Sequence, residues 1–213
     1  MGNVNASIDG KKVRVREGAT ILQAAEAAGI SIPTLCHIKD QLPAGACRVC
    51  VVEVEGAKTL AGSCHTPLSE GMVIHTHSAK VVAARKVIVE LMLTAHTGDC
   101  VIDANAENCK LHGLASDCEV GAPRFNVPSP RFYPAEGSNP YVARNMSKCI
   151  LCRKCVLACK DIAHKNVLGV AWRGFRSKVV AGYDGPLVSE VCRDCGICIE
   201  HCPTGALSRP VKV

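Results

Sequence analysis

Cysteine is the residue type whose number and spacing dominate the chemistry available to this sequence. The chain has 213 residues, and 15 of them are cysteine. An odd number of thiols, with no signal peptide visible after Met1, argues against a disulfide scaffold. Most of the thiols lie in dense groups, a spacing typical of metal binding. We therefore expect a cytoplasmic metalloprotein whose cysteines serve as metal ligands.

Two matching cysteine runs occupy the C-terminal third. Each has the pattern C-x2-C-x2-C-x3-C, first from Cys149 to Cys159 and again from Cys192 to Cys202. In this pattern three closely spaced thiolates bind one four-iron cluster, and the fourth cysteine of the run is donated to the other cluster. The predicted ligands of one [4Fe–4S] cluster are Cys149, Cys152, Cys155 and Cys202, and those of a second are Cys192, Cys195, Cys198 and Cys159. Structural zinc is the alternative, but zinc prefers two separated pairs of ligands.

Four further cysteines lie in the N-terminal third. They have the spacing Cys36-x10-Cys47-x2-Cys50-x13-Cys64. The plant-type [2Fe–2S] pattern is C-x4-C-x2-C with a distant fourth cysteine, so only the first interval differs. Four thiolates from loops around one small domain predict a [2Fe–2S] cluster.

The elements that must position these N-terminal cysteines can be predicted from the sequence. Residues 4–9 and 12–16 alternate apolar and polar side chains around Asp9-Gly10, which predicts a β-hairpin. Thr20 and Gln23 form a capping box before an Ala-rich helix over 21–28. Strands are expected over 51–55 and 72–75. This order of strands and helix suggests a compact β-grasp domain.

Further along the chain, Ser78 caps a predicted helix to about residue 95, and a short helix is expected over 110–118. Five prolines between 121 and 140 indicate a linker, and the pattern over residues 167–180 predicts a hairpin. The fold class is α+β. The predicted domains are a β-grasp [2Fe–2S] domain over 1–77, a helical His/Cys domain over 78–120, a Pro-rich linker over 121–145 and a double [4Fe–4S] ferredoxin-like domain with a hairpin insertion over 146–213.

The residues around the N-terminal cysteines carry a family resemblance. The segments Ile32-Pro33-Thr34-Leu35-Cys36 and Gly45-Ala46-Cys47-Arg48-Val49-Cys50 resemble the [2Fe–2S] domain that begins the complex I large iron–sulfur subunit and [FeFe] hydrogenases. The whole chain is similar to the small, diaphorase-type iron–sulfur subunit of NAD(P)-linked hydrogenases and formate dehydrogenases. The resemblance implies electron transfer inside a hetero-oligomer, with a flavin/NAD(P)-binding subunit and a hydrogenase or formate dehydrogenase catalytic subunit as partners.

In these families a helix is followed by H-x3-C-x2-C-x5-C, which binds one more [4Fe–4S] cluster. This sequence keeps the spacing at His96, Cys100 and Cys109, but Asp103 replaces the middle cysteine. Asp103 could ligate iron, Cys118 could substitute after the loop is remodelled, or the site could be empty. The three ligand-type residues at the right intervals favour a cluster held by His96, Cys100, Asp103 and Cys109.

Other classes of function find little support in the sequence. No apolar run reaches the ~20 residues of a membrane span, and no G-x-G-x-x-G motif indicates a nucleotide site. The net charge of +6 is scattered, without the basic run of a nucleic-acid-binding surface. The chain therefore shows no substrate site. We expect an electron-transfer subunit of an oxidoreductase complex, with a free-standing polyferredoxin as the alternative and a scaffold with purely structural clusters as a third.

Overall fold

The computed structural model describes residues 2–96, 109–122, 124–125, 132–187 and 189–210. Cys100 and Asp103 lie outside these residues. Within the described residues, no helix combines the length and apolar character needed to cross a bilayer.

A five-stranded mixed sheet with one helix forms the N-terminal part. Its elements are β1 (Asn3–Ile8), β2 (Lys11–Arg16), α1 (Ile21–Ala27), β3 (Val51–Val54), β4 (Ala61–Gly62) and β5 (Val73–His75). The strand order is β2-β1-β5-β3-β4, in which β1 and β5 are parallel and the other pairs antiparallel. The predicted hairpin is present, with Asp9 and Gly10 both at positive φ.

Helix α1 begins at the predicted capping box. The Gln23 amide donates to Thr20 Oγ1, and the Thr20 amide donates to Gln23 Oε1. Burial of Ile21, Leu22 and Ala25 then anchors the helix against one face of the sheet, where Ile8 and Ile74 are also buried. This core fixes the loops that carry the N-terminal cysteines, because those loops connect its strands and helix.

Two helices follow the sheet. Ser78 caps α2 (Ala79–Ala95), and α3 (Lys110–Asp117) begins after Cys109. On α2 the buried positions Val81, Arg85 and Val89 recur at helical spacing. The buried guanidinium of Arg85 is satisfied because it donates to the backbone carbonyls of Val49, Val51 and Thr76, which lie in or beside β3 and β5.

The C-terminal part is built from short elements around the cysteine runs. They are β6 (Ala143–Arg144), α4 (Lys154–Leu157), β7 (Leu168–Ala171), β8 (Lys178–Ala181), α5 (Ser189–Cys192), α6 (Ile197–Glu200) and β9 (Leu207–Ser208). β7 and β8 form the predicted antiparallel hairpin. β6 pairs with β9, and the Tyr133 amide donates to Ser147 Oγ, so the second half of the predicted linker packs on this part. The domain boundaries themselves stay a prediction.

Candidate iron–sulfur sites

The fold gathers the four N-terminal cysteines. Cys50 directly precedes β3 and Cys64 follows β4, so the antiparallel pairing of these strands brings the two residues together; the Ser63 amide donates to the Cys50 carbonyl at 3.0 Å. Cys36 and Cys47 both come from the long connection between α1 and β3. All four side chains are buried, none more than 4% exposed.

These thiols influence one another in two pairs, Cys36 with Cys47 and Cys50 with Cys64. The Cys47 thiol, helped by backbone amides of residues 46 and 47, lowers the pKa of Cys36 to about 6. The Cys64 thiol similarly lowers the pKa of Cys50 to about 5. The partner thiols keep their protons, because these pairwise interactions and burial both raise the pKa of Cys47 and of Cys64. A metal ion or cluster binds thiolates, so the lowered pKa of Cys36 and of Cys50 favours ligation.

Cys149, Cys152, Cys155 and Cys202 line one space in the C-terminal part, with about 330 Å³ of unfilled volume that includes solvent at its opening. These are the four residues that the sequence assigned to one cluster. The Leu151 amide donates to Cys149 Sγ at 3.4 Å. Three cysteines of the first run thus surround the space together with the last cysteine of the second run.

A second space of the same volume is lined by Cys159, Cys192, Cys195 and Cys198. The Val167 amide donates to Cys159 Sγ at 3.3 Å. Each space is thus lined by three cysteines of one run and the last cysteine of the other.

The two cysteine runs repeat in backbone conformation as well as in sequence. Leu151 and Arg153 have positive φ in the first run, and Asp194 and Gly196 have positive φ at the matching positions of the second. Left-handed residues of this kind turn successive amide N–H groups toward one concavity, a geometry common at anion and iron–sulfur sites. Three of these four residues are not glycine, and a left-handed backbone is strained for a residue with a side chain. The surrounding structure must therefore maintain this conformation.

The donor chemistry fits clusters better than a single ion in both C-terminal spaces. Burial raises the pKa of Cys152 and of Cys198 to about 12, so these thiols become ligands only when a metal displaces their protons. Four thiolates around one zinc would lie about 3.8 Å apart, given a Zn–S distance of about 2.3 Å. Among the described residues, no three of these cysteines bring their sulfur atoms within 4.8 Å of one another.

A buried cluster of side chains, here called the junction core, joins the three parts of the chain. It consists of Leu35, Cys36, Cys47, Val49, Val89, Cys109, Leu111, Leu114, Ala115 and Cys152. Cysteines of the N-terminal group and of the first C-terminal space thus share one apolar environment. The Lys110 amide also donates to the Pro203 carbonyl at 2.7 Å, which ties the start of α3 to the residue after Cys202.

The two C-terminal spaces are likewise adjacent. Cys155 of the first and Cys198 of the second belong to one hydrophobic core. The pKa of Cys155 is raised well above its usual value, and burial is the largest cause. The negative charges of neighbouring thiolates, Cys198 among them, raise this pKa further. The cysteine sites therefore follow one another through the molecule, from the junction core to the space around Cys198.

The predicted His/Cys site is described in part. His96 caps the end of α2, and its Nε2 lies 3.8 Å from Sγ of Cys109, which caps the start of α3. His112, to which the sequence patterns assigned no role, completes a group whose ligand atoms all lie within 4.8 Å of one another. Its signal was present in the sequence, because Cys109 and His112 are three residues apart on one helix face. Cys118 is partly buried against the junction core, as expected for a small apolar side chain.

The environment of His96 defines its ring nitrogens. Burial lowers the pKa of His96 to about 4, and the nearby His112 contributes to that shift, so the ring is neutral. Its Nδ1 lies 3.0 Å from the Lys148 carbonyl oxygen. A carbonyl only accepts, so Nδ1 carries the proton and Nε2 presents its lone pair to Cys109.

Comparison with known proteins agrees with this picture. Residues 2–79 match the family described as 2Fe-2S iron-sulfur cluster binding domain, and residues 139–208 match NADH-quinone oxidoreductase subunit 3, ferredoxin-like domain. The resemblance predicted from the cysteine motifs is confirmed. The chain is a mixed α and β protein with an N-terminal 2Fe-2S domain and a C-terminal ferredoxin-like domain.

Similar proteins match nearly the whole chain. NADP-reducing hydrogenase subunit HndD of Solidesulfovibrio fructosivorans is 39% identical over 97% of this chain and 36% of its own length. The mitochondrial NADH-ubiquinone oxidoreductase 78 kDa subunit of Candida albicans is 34% identical over 98% of this chain and 29% of its own length. The chain thus spans about a third of the length of these curated relatives.

A solved structure is similar over most of both chains. The crystal structure of an NAD+-reducing [NiFe]-hydrogenase in the H2-reduced state contains a chain that superposes with a TM-score of 0.80 and 28% sequence identity. The match covers 96% of this chain and 86% of that one.

Proposed function

We propose that this chain, with its 2Fe-2S domain and its ferredoxin-like domain, is an electron-transfer subunit of a hetero-oligomeric oxidoreductase. It would pass electrons between a flavin/NAD(P)-binding subunit and a hydrogenase or formate dehydrogenase catalytic subunit. The proposal draws on relatives whose names include an NADP-reducing hydrogenase subunit and an NADH-ubiquinone oxidoreductase subunit. Catalysis on substrate would belong to the other subunits.

The proposed ligands are the three groups of cysteines that the fold gathers. One [2Fe–2S] cluster would be held by Cys36, Cys47, Cys50 and Cys64, one [4Fe–4S] by Cys149, Cys152, Cys155 and Cys202, and another by Cys159, Cys192, Cys195 and Cys198. Support comes from the two cysteine-lined spaces and the left-handed turns beside them. We also propose the domain division 1–77, 78–120, 121–145 and 146–213. A cytoplasmic location follows from the need to keep these thiols reduced.

The observation that carries the proposal is the junction core. Electron transfer requires the redox centres to be close, and this core places Cys36 and Cys47 in the same buried cluster as Cys152. The hydrophobic core around Cys155 and Cys198 continues the sequence of sites. A storage or purely structural protein has no need for its three cysteine sites to form a continuous series.

When bound, each cluster would gain or lose one electron, at potentials tuned by the surrounding protein. The residues of the chain supply that tuning. The amides of Leu151 and Val167 donate to the cysteine sulfurs, which favours the thiolate and offsets its negative charge. Apolar side chains of the junction core exclude water from the neighbouring sites, and this lowers the local dielectric.

An exposed aromatic patch supports a chain that works in a complex. Trp172, between β7 and the following turn, is 57% exposed, and Phe175 in that turn is 50% exposed. Arg173 and Arg176 flank them. Exposed aromatic and Arg residues of this kind are typical of binding hot spots.

The test is anaerobic affinity purification of the tagged chain from its native cells. The proposal predicts a stoichiometric complex that contains a flavin-binding subunit. Trp172→Ala with Phe175→Ala should weaken that complex about 30-fold, the effect of losing a hot spot of about 2 kcal/mol. Phe132→Ala, which removes another exposed aromatic ring, is the matched control. A lone chain that many unrelated donors reduce would support the free polyferredoxin instead.

A further inference from the structure

The group formed by His96, Cys109 and His112 differs in character from the three cysteine sites. It contains one thiol and two imidazoles, and all three ligand atoms lie within 4.8 Å of one another. Among the described residues, no other group of three ligand-type side chains is as compact. The family pattern at this place would instead combine one histidine with three cysteines, and Asp103 interrupts that pattern.

The spacing of these atoms fits one metal ion. With Zn–N distances of about 2.0–2.1 Å and a Zn–S distance of about 2.3 Å, a tetrahedral zinc separates a nitrogen from a sulfur ligand by about 3.6 Å. The separation between His96 Nε2 and Cys109 Sγ is 3.8 Å. A four-iron cluster, by contrast, takes each ligand on a different iron and needs the ligands spread around it, as the cysteines of the two C-terminal spaces are.

The orientation of His96 is that of a metal ligand. Its Nδ1–H donates to the Lys148 carbonyl, and its Nε2 lone pair is directed toward Cys109. Histidine ligands almost always donate their second ring N–H to a carbonyl or carboxylate, which fixes the ring and raises the basicity of the ligating nitrogen. His96 and Cys109 are 8% and 4% exposed, so water competes little for the ion.

The elements also hold His112 in place. Cys109 caps α3 and His112 lies in its first turn, so both ligands sit on one rigid face. The rings of His96 and His112 are tilted by 57° with centroids 5.5 Å apart. Imidazole nitrogen and thiolate sulfur are both ligand types that zinc takes, and Co²⁺ can replace zinc in such sites.

We propose that His96, Cys109 and His112 bind a single divalent metal ion of the zinc type, in place of the four-iron cluster that the family pattern implies here. The ion would clamp the end of α2 to the start of α3. Through the Lys148 carbonyl it would also steady the residue before Cys149. Cys109 lies in the junction core, but the site uses none of the twelve cysteines assigned to the proposed clusters, so either proposal can fail without the other.

The first test is metal analysis of the anaerobically purified chain. The proposal predicts about one zinc per chain beside about ten irons, the iron content of one [2Fe–2S] and two [4Fe–4S] clusters. His112→Ala should lose the zinc and keep the iron, and the retained iron shows that the variant has folded. A count of about fourteen irons without zinc would overturn the proposal, because a third four-iron cluster would then occupy the site.

Co²⁺ added anaerobically to zinc-depleted chain provides the second test. The expected spectrum has tetrahedral ligand-field bands and one sulfur-to-cobalt charge-transfer band. His112→Ala should weaken Co²⁺ binding at least ~100-fold, beyond the loss typical of changes to groups that only support a ligand. His112→Cys should restore binding and strengthen the charge-transfer band. The control is His75→Ala, which removes the β5 imidazole that pairs with Glu55 and should leave Co²⁺ binding unchanged. Equal Co²⁺ affinity in His112→Ala and wild type would refute the assignment.

Discussion

Replacing Arg85 by methionine tests how α2 supports the N-terminal cysteine site. Arg85 is 5% exposed and donates to the carbonyls of Val49 and Val51 at 3.1 Å and of Thr76 at 3.3 Å. Val49 and Val51 flank Cys50, so the guanidinium fixes the backbone on both sides of a proposed ligand. Methionine keeps an apolar stem of similar length and removes the donors.

The expected loss follows from the hydrogen bonds left without a donor. Each buried carbonyl without its partner costs about 1–3 kcal/mol, and three are affected. Part of this loss is offset, because burial of the guanidinium is itself unfavourable and lowers the pKa of Arg85. We expect a net destabilisation of about 3 kcal/mol, a large share of the roughly 5–15 kcal/mol that stabilises a typical domain.

The assay is the rate at which the [2Fe–2S] absorbance bleaches anaerobically in moderate guanidinium chloride. The [2Fe–2S] absorbance of Arg85→Met should bleach about a hundredfold faster than that of wild type if the lost stability appears as faster unfolding around the cluster. Lys80→Met on the same helix removes only a surface ion pair with Glu53 and is the control, because such pairs contribute little to stability. Equal bleaching rates for wild type and Arg85→Met would refute the reasoning.

Two further predictions concern the C-terminal cysteine runs. If the fourth cysteines are exchanged, Cys149→Ala combined with Cys202→Ala should disrupt one cluster and remove about four irons per chain. Cys149→Ala combined with Cys159→Ala should disrupt both clusters and remove about eight. The reverse pattern would show that each run ligates its own cluster. Gly196 has φ +66°, where a side chain costs about 1–2 kcal/mol, so Gly196→Ala should speed the loss of iron to a chelator. Arg153 has φ +63° at the matching position, and Arg153→Gly should slow that loss; an unchanged or faster loss in Arg153→Gly would contradict the strain argument.

Local signals in the sequence were sufficient for several elements. Asp9-Gly10 specified a hairpin because its turn requires positive φ, and Thr20 with Gln23 specified the start of α1 because both side chains satisfy free amides. The two cysteine runs predicted which residues share each C-terminal space, since the exchange of the fourth cysteine follows from the repeat itself.

Other features depend on contacts between residues far apart in sequence. The junction core joins Cys36 with Cys152, and no local pattern specifies that contact. Leu151 and Arg153 adopt left-handed conformations that residue type alone would not predict. His112 was missed because its partner His96 lies on another helix, although its spacing from Cys109 was visible.

The most direct measurement of the central claim is electron paramagnetic resonance during a stepwise anaerobic reduction of the intact chain. If the cysteine sites hold clusters that form one conducting series, signals of a [2Fe–2S] and of [4Fe–4S] centres should emerge and broaden one another as neighbouring centres become reduced together. Protein that is colourless, carries zinc in the cysteine sites, or shows cluster signals with no mutual broadening would contradict the account.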